Sequence, residues 1–344
     1  MFARINEPTE KVLVIAELSA NHNHDFELAV KTIEAMASEG ADAVKVQTFK
    51  PESLSINVNN EYFGPRTEGL WKGYRPYDLY AQAMMPWEWQ PKLKKIAEGL
   101  GMIFFSSPFD KAGVDFLETM NVPAYKIASF EITDIPLISY AAAKEKPMII
   151  STGIATLSDI ELAVDACRKT GNNQITLLKC TSEYPAPFEL ANLATIPHLR
   201  QTFNVEAGVS DHTMGSTVPV VAVALGAKMV EKHFILSRDI GGPDAGFSME
   251  PNEFASMVKS VREAEAAIGK IDYKVSEKNK LRRRSLFAIK DIKAGELFTD
   301  LNIASVRPGH GLHPSYYGEI IGRKAKENIG PGTPLNWNII ENNE

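Results

Sequence analysis

The chain has 344 residues, of which 44% are hydrophobic and 23% charged, the make-up of a globular enzyme with room for one large or two unequal domains. Its formal charge of −6 disfavours nucleic acid as a partner, because gripping a phosphate backbone needs a dense basic face. No apolar run nears the roughly 20 residues that cross a bilayer, and Met1-Phe2-Ala3-Arg4-Ile5-Asn6 lacks the apolar stretch of a secretory signal, so the expectation is a cytoplasmic protein with no membrane partner.

In chain order, short β-branched runs fall at Val12–Ala16, Ala43–Gln47, Met102–Phe105, Tyr125–Ala128, Met148–Ile150, Ile175–Leu178, Asn204–Ala207 and Met229–Glu231, with helical stretches between them. Near-continuous apolar runs mark strands covered on both faces, and about eight βα units over roughly 250 residues is the size of a closed parallel barrel. The predicted fold class is α/β, a (β/α)8 TIM barrel. An open doubly wound sheet is the alternative, but the first run is followed by Glu17-Leu18-Ser19-Ala20-Asn21-His22 and not by a GxGxxG turn.

The runs end in polar residues: Glu17, Lys45 with Gln47, Ser106 with Ser107, Lys126 with Ser129, Ser151 with Thr152, Thr181 with Ser182, Ser210 with His212, and Glu231 with His233. Barrel active sites are assembled at those carboxyl ends. One connection, Pro51 to Met85, is too long for a plain loop and carries Tyr62, Phe63, Trp71, Tyr74, Arg75, Tyr77 and Tyr80; it suits either a lid or a surface loop packed on its own side chains.

Cys167 and Cys180 lack CxxC spacing and read as reduced thiols, neither of them a nucleophile. After Ile268 the helical pattern fades. The expected organisation is a barrel domain at 1–270, a charged linker at 271–284 and a small β-rich domain at 285–344, with turn signals at Arg307-Pro308-Gly309 and Gly330-Pro331-Gly332.

His212 in Gly208-Val209-Ser210-Asp211-His212-Thr213 and His233 in Met229-Val230-Glu231-Lys232-His233-Phe234 close neighbouring runs. Imidazoles from the ends of successive parallel strands converge, which suggests a divalent metal whose other positions go to water and substrate oxygens; two hydrogen-bonded core histidines are the alternative. Manganese, magnesium or cobalt suits such donors. Lys45 and Lys126 inside a barrel mouth need an anionic substrate or internal carboxylates, because a buried unpaired ammonium costs several kcal/mol.

The ordered motifs Ile15-Ala16-Glu17, Val44-Lys45-Val46-Gln47-Thr48, Ser106-Ser107-Pro108-Phe109, Tyr125-Lys126-Ile127-Ala128-Ser129, Ser151-Thr152-Gly153, Lys179-Cys180-Thr181 and the two histidine segments together resemble the sialic acid synthase family over nearly the whole chain. The resemblance implies a barrel that condenses phosphoenolpyruvate with an N-acetylated amino sugar to a nine-carbon nonulosonic acid, releasing phosphate. It also implies a carboxy-terminal antifreeze-like (SAF) domain. Three segments that separate subgroups, Lys126 to Asp134, Cys180 to Pro185 and Ser305 to Pro314, are similar to pseudaminic acid synthases, whereas N-acetylneuraminate enzymes more typically carry Asn in place of Ser182. The acceptor so implied is 2,4-diacetamido-2,4,6-trideoxy-L-altropyranose, with N-acetylneuraminate or legionaminate synthesis as the alternative.

Given an enol phosphate, Lys45 and Lys126 with the hydroxyls of Ser107, Ser129, Ser151 and Ser210 are the expected anion holders. The resemblance assigns Glu131 as acid/base, Glu17 and Gln47 to the acceptor, and Tyr184 and Asp244 to sugar hydroxyls. Ser182 joins the substrate contacts, Glu231 neighbours the metal without ligating it, and His22 is a minor candidate. Arg307 is expected to reach the acceptor N-acetyl group from the partner subunit of a domain-swapped homodimer. Two other classes compete: a metal-dependent aldolase on the same barrel, which would release no phosphate, and a carbohydrate-binding module on a catalytically dead barrel.

Overall fold

The computed structural model describes residues 11–342. The chain divides into two compact units, the first ending at Gly269 and the second beginning at Lys270. In the first, eight parallel strands close into a barrel: β1 Leu13–Glu17, β2 Ala43–Thr48, β3 Ile103–Pro108, β4 Tyr125–Ile127, β5 Met148–Ser151, β6 Ile175–Cys180, β7 Glu206–Asp211 and β8 Met229–His233. Pairing of β1 with β8, Leu13 opposite Met229, completes the ring.

Strand alternation sorts each strand into two sets of side chains. Val14, Ala16, Val44, Val46, Phe104, Val209 and Val230 face outward and pack under the helices. Leu13, Ile15, Ala43, Ile103, Phe105, Ile149, Leu178 and Met229 form a separate apolar plug. Gly208 on β7 makes room in it, since a Cβ there would lie 2.8 Å from Leu178 and 2.5 Å from the Met229 carbonyl. Further along the same faces the residues become polar: Glu17, Lys45, Ser107, Lys126, Ser151, Ser210 and Glu231, all buried. The plug closes one end of the barrel and the charges line the other.

Two local outcomes depart from the sequence reading. Strand β7 starts at Glu206, not at Asn204, because Asn204 adopts a left-handed conformation (φ 50°) that caps the helix Thr195–Phe203. Strands β3, β6, β7 and β8 run further than expected, so most of the polar termini are rigid strand positions and not loop residues.

The long connection contains the helices Pro51–Leu54 and Pro76–Ala83. The indole N–H of Trp71 donates to the Pro243 carbonyl at 2.9 Å, which ties the connection to the segment after β8.

The second unit pairs β9 Ser285–Ala288 with β10 Ile303–Val306 antiparallel. Its own core gathers Leu286, Phe298, Ile303, Ile320 and Ile340. Between Gly269 and Glu277 the chain forms no regular element, and Ile271 and Tyr273 are over nine-tenths exposed. No helix among the described residues is long and apolar enough to cross a membrane.

Candidate active site

At the carboxyl ends of the strands lies a cavity of about 300 Å³, lined by Lys45, Lys126, Ser129, Glu131, Ser151, Tyr184, Ser210, His212, Glu231, His233 and Asp244 among others. Its floor is an ionic cluster. Lys45 Nζ sits 2.7 Å from Glu17 and 3.4 Å from Glu231, and Lys126 Nζ lies 3.6 Å from the same Glu231 oxygen. Ser210 donates to Glu231 at 3.1 Å. Burial alone would neutralise these groups, but at Lys45 the two carboxylates overrule it and raise the ammonium pKa, and at Glu231 the two lysines hold the carboxyl below its usual range. Lys126, with only the longer contact, is driven down by burial. Internal partners therefore exist for both lysines, yet Glu231 Oε2 and Ser151 Oγ remain buried without a hydrogen-bond partner among the described residues.

Glu131 follows β4 in a short 3-10 turn, Ser129–Glu131. Burial raises its pKa to about 7 against the pull of Lys126, and its Oε2 has no hydrogen-bond partner among the described residues. A carboxyl so placed can donate or accept a proton near neutrality. Phe130 beside it is more than half exposed and lines the same cavity.

His212 and His233 converge as expected, their ring centroids 5.2 Å apart, with Phe247 packed against both. His212 Nδ1 lies 2.9 Å from the Thr181 carbonyl, which can only accept, so Nδ1 carries a proton; burial opposes the charged ring, but Cys180 and this carbonyl outweigh it and raise the imidazole pKa. Burial and the neighbouring cations hold His233 well below its usual pKa, and its buried Nδ1 has no partner among the described residues. In its neutral form each imidazole offers a divalent cation a ring-nitrogen lone pair. Among the described residues no group of three or more histidine, cysteine or acidic side chains is gathered as a metal cage, so a metal here would take its other oxygens from water or substrate.

Where β1 and β2 meet the segment after β8, Gln47 donates to Glu17 at 3.0 Å and to Ser19 at 2.9 Å, and Ser19 donates to Asp244. Tyr184 packs at a tilt between Trp71 and His212.

Some expected residues stand back from the cavity. Ser107 reaches it only through Lys45, at 3.4 Å. Ser182 lies 3.9 Å from Cys180 Sγ, and a Cβ on Gly153 would collide with its hydroxyl. Glu17 is wholly buried beneath Lys45. His22 points elsewhere, accepting from the His24 amide at 3.1 Å and meeting Trp89 edge-on. Arg307 belongs to the second unit, where it follows β10. Ser19, Arg66, Phe247 and the Trp71 to Pro243 link escaped the sequence reading. Their only signal was position: Ser19 two residues past a strand-end glutamate, and Arg66 and Trp71 inside an overlong connection.

A closed parallel barrel with paired imidazoles, two lysines and a near-neutral carboxyl at its carboxyl end defines an enzyme of the TIM-barrel class. The NeuB family model matches residues 32–273 and the SAF domain model residues 283–341. The chain belongs to the NeuB family. It is 45% identical over 332 residues to the pseudaminic acid synthase of Helicobacter pylori (95% of this chain, 97% of that protein) and 46% over 330 residues to that of Campylobacter jejuni (95% and 96%). Among solved structures it resembles the N-acetylneuraminic acid synthetase of Leptospira borgpetersenii, with a TM-score of 0.69 and 31% identity across 78% of this chain and 89% of that one.

Proposed function

We propose that this protein condenses phosphoenolpyruvate with 2,4-diacetamido-2,4,6-trideoxy-L-altropyranose, forming a nine-carbon nonulosonic acid and releasing phosphate by C–O cleavage. The observation that carries this reading is the lining of one cavity by Lys45, Lys126, Glu131, His212 and His233, in a chain matching pseudaminic acid synthases along nearly its whole length.

Lys45 and Lys126, with the hydroxyls of Ser129, Ser151 and Ser210, hold the anionic substrate; Ser151 Oγ is free to donate. When bound at His212 and His233, a manganese, magnesium or cobalt ion supplies polarisation of the sugar aldehyde. As C3 of phosphoenolpyruvate bonds to the aldehyde carbon, protonated Glu131 gives its proton to the carbonyl oxygen. The resulting carboxylate then takes a proton from the water that adds at C2. The C2–O bond to phosphate breaks and the C2 hydroxyl becomes the product ketone, its proton leaving with phosphate. Gln47, Tyr184 and Asp244 orient the sugar. The reading keeps residues 1–270 as the synthase barrel, 271–284 as linker and 285–344 as the antifreeze-like domain, in a cytoplasmic homodimer whose partner supplies Arg307.

Mass spectrometry of products from phosphoenolpyruvate and a panel of mono- and diacetamido sugars tests the reaction. The diacetamido sugar is expected to give the nonulosonic acid with one phosphate per turnover; condensation without phosphate would mean an aldolase. Arg307→Ala is expected to raise the acceptor KM well above its effect on the phosphoenolpyruvate KM, and equal effects would argue against Arg307 as an acceptor contact.

A further inference from the structure

Ser19 is buried, lines the cavity and stands two residues beyond the end of β1. Its backbone is left-handed, with φ 47°. A side chain in that region strains the backbone, and such residues persist where the surroundings over-determine them, commonly at functional sites. Glycine would fill the position without strain. What serine adds is a hydroxyl, and that hydroxyl is fully engaged.

It accepts from Gln47 Nε2 at 2.9 Å and donates to Asp244 Oδ2. The same Asp244 oxygen takes the Ala20 amide at 3.4 Å, and the same Gln47 nitrogen reaches Glu17 at 3.0 Å. The segment carrying Asp244 is also where Trp71 attaches, through Pro243. Gln47 comes from β2 and Asp244 from the segment after β8, and among the described residues Ser19 hydrogen-bonds to both. Burial raises the Asp244 pKa, and the Ser19 hydroxyl acts against that rise.

We propose that Ser19 is a positioning residue of the acceptor subsite, its hydroxyl fixing the Gln47 amide and the Asp244 carboxylate in the one mutual geometry that the sugar hydroxyls meet. The inference rests on the synthase reading above. It explains why a strained serine occupies a turn that glycine would fill: the hydroxyl orders two sugar contacts from different parts of the ring of strands.

The test compares Ser19→Gly and Ser19→Ala with the wild type, using phosphoenolpyruvate and the diacetamido sugar, or whichever acetamido sugar the wild type condenses. Ser19→Gly removes both hydroxyl and strain; Ser19→Ala removes the hydroxyl alone. Both are expected to raise the acceptor KM by about tenfold, the scale of one lost hydrogen bond to a charged partner. The phosphoenolpyruvate KM should stay within about twofold. The melting temperature of Ser19→Ala should fall below that of Ser19→Gly, because both lose the hydroxyl and only alanine keeps the strained backbone. A merely structural serine would instead give a Ser19→Gly variant with unchanged constants, or one losing affinity for both substrates equally, and either result overturns the proposal. A wild type inactive with the diacetamido sugar but active with another sinks the acceptor assignment, while the Ser19 comparison still runs on the sugar that reacts.

Discussion

Lys45→Met is expected to cost the fold about 3–5 kcal/mol and to abolish condensation, because it strips one partner from a buried ionic cluster. Lys45 is 4% exposed, Glu17 fully buried and Glu231 3% exposed. Lys45 alone lies within ion-pair reach of both carboxylates, since Lys126 contacts Glu231 only. Burial already raises the Glu17 pKa against the pull of Lys45; without Lys45, Glu17 retains just the Gln47 amide and is pushed up further, so it takes a proton on folding. Lys45→Met with Glu17→Gln replaces that stranded carboxyl by an amide that need not take up a proton. Denaturant unfolding should show the double variant recovering much of the lost stability, while phosphate release stays absent in both. A single variant within about 1 kcal/mol of the parent would mean that the cluster contributes nothing to the fold.

Glu131→Gln is expected to lower kcat by roughly 10²–10⁴, the usual cost of removing a proton-transfer group. In the proposed reaction the resting carboxyl must carry its proton, and its pKa is raised to about 7. Wild-type kcat/KM should therefore fall as pH climbs through about 7, and the residual activity of the variant should lack that limb. Wild-type stability should fall over the same rise in pH. A carboxyl whose folded pKa lies above its ordinary value of 4.5 gives stability fully present below that value and lost as pH rises through about 7. Glutamine cannot ionise, so the variant should gain on the wild type across that window and hold its advantage at pH 8. Equal melting temperatures at pH 5 and pH 8 would show that Glu131 does not titrate as described.

The barrel was legible because strands covered on both faces leave unbroken apolar runs, and all eight are found where those runs lie. Boundaries were less so. Asn204 continues an extended-looking run in composition but bends left-handed to end a helix, which its own propensity permits and its neighbours do not announce. Within the site, residues projecting from strand ends were legible, for the fold fixes where a strand end points. The pairing of Lys45 with Glu17 and Glu231 was not, because it depends on β1, β2 and β8 being adjacent only after the ring closes. Phe247 and the Trp71 link were hidden for a related reason, as both lie in connections whose path is set by what they pack against. His22 looked close to the mouth by number alone, and its ring turns toward Trp89 instead.

Strand β8 interleaves two duties: Glu231 and His233 face the cavity, while Lys232 between them turns outward to a buried ion pair with Asp211 at 2.6 Å. Strand β7 does likewise with Ser210 and Asp211. This stretch therefore behaves like text in a fixed reading frame. Inserting or deleting one residue in either strand would exchange chemistry and scaffold at a stroke, so the locus tolerates substitution far better than any change of length.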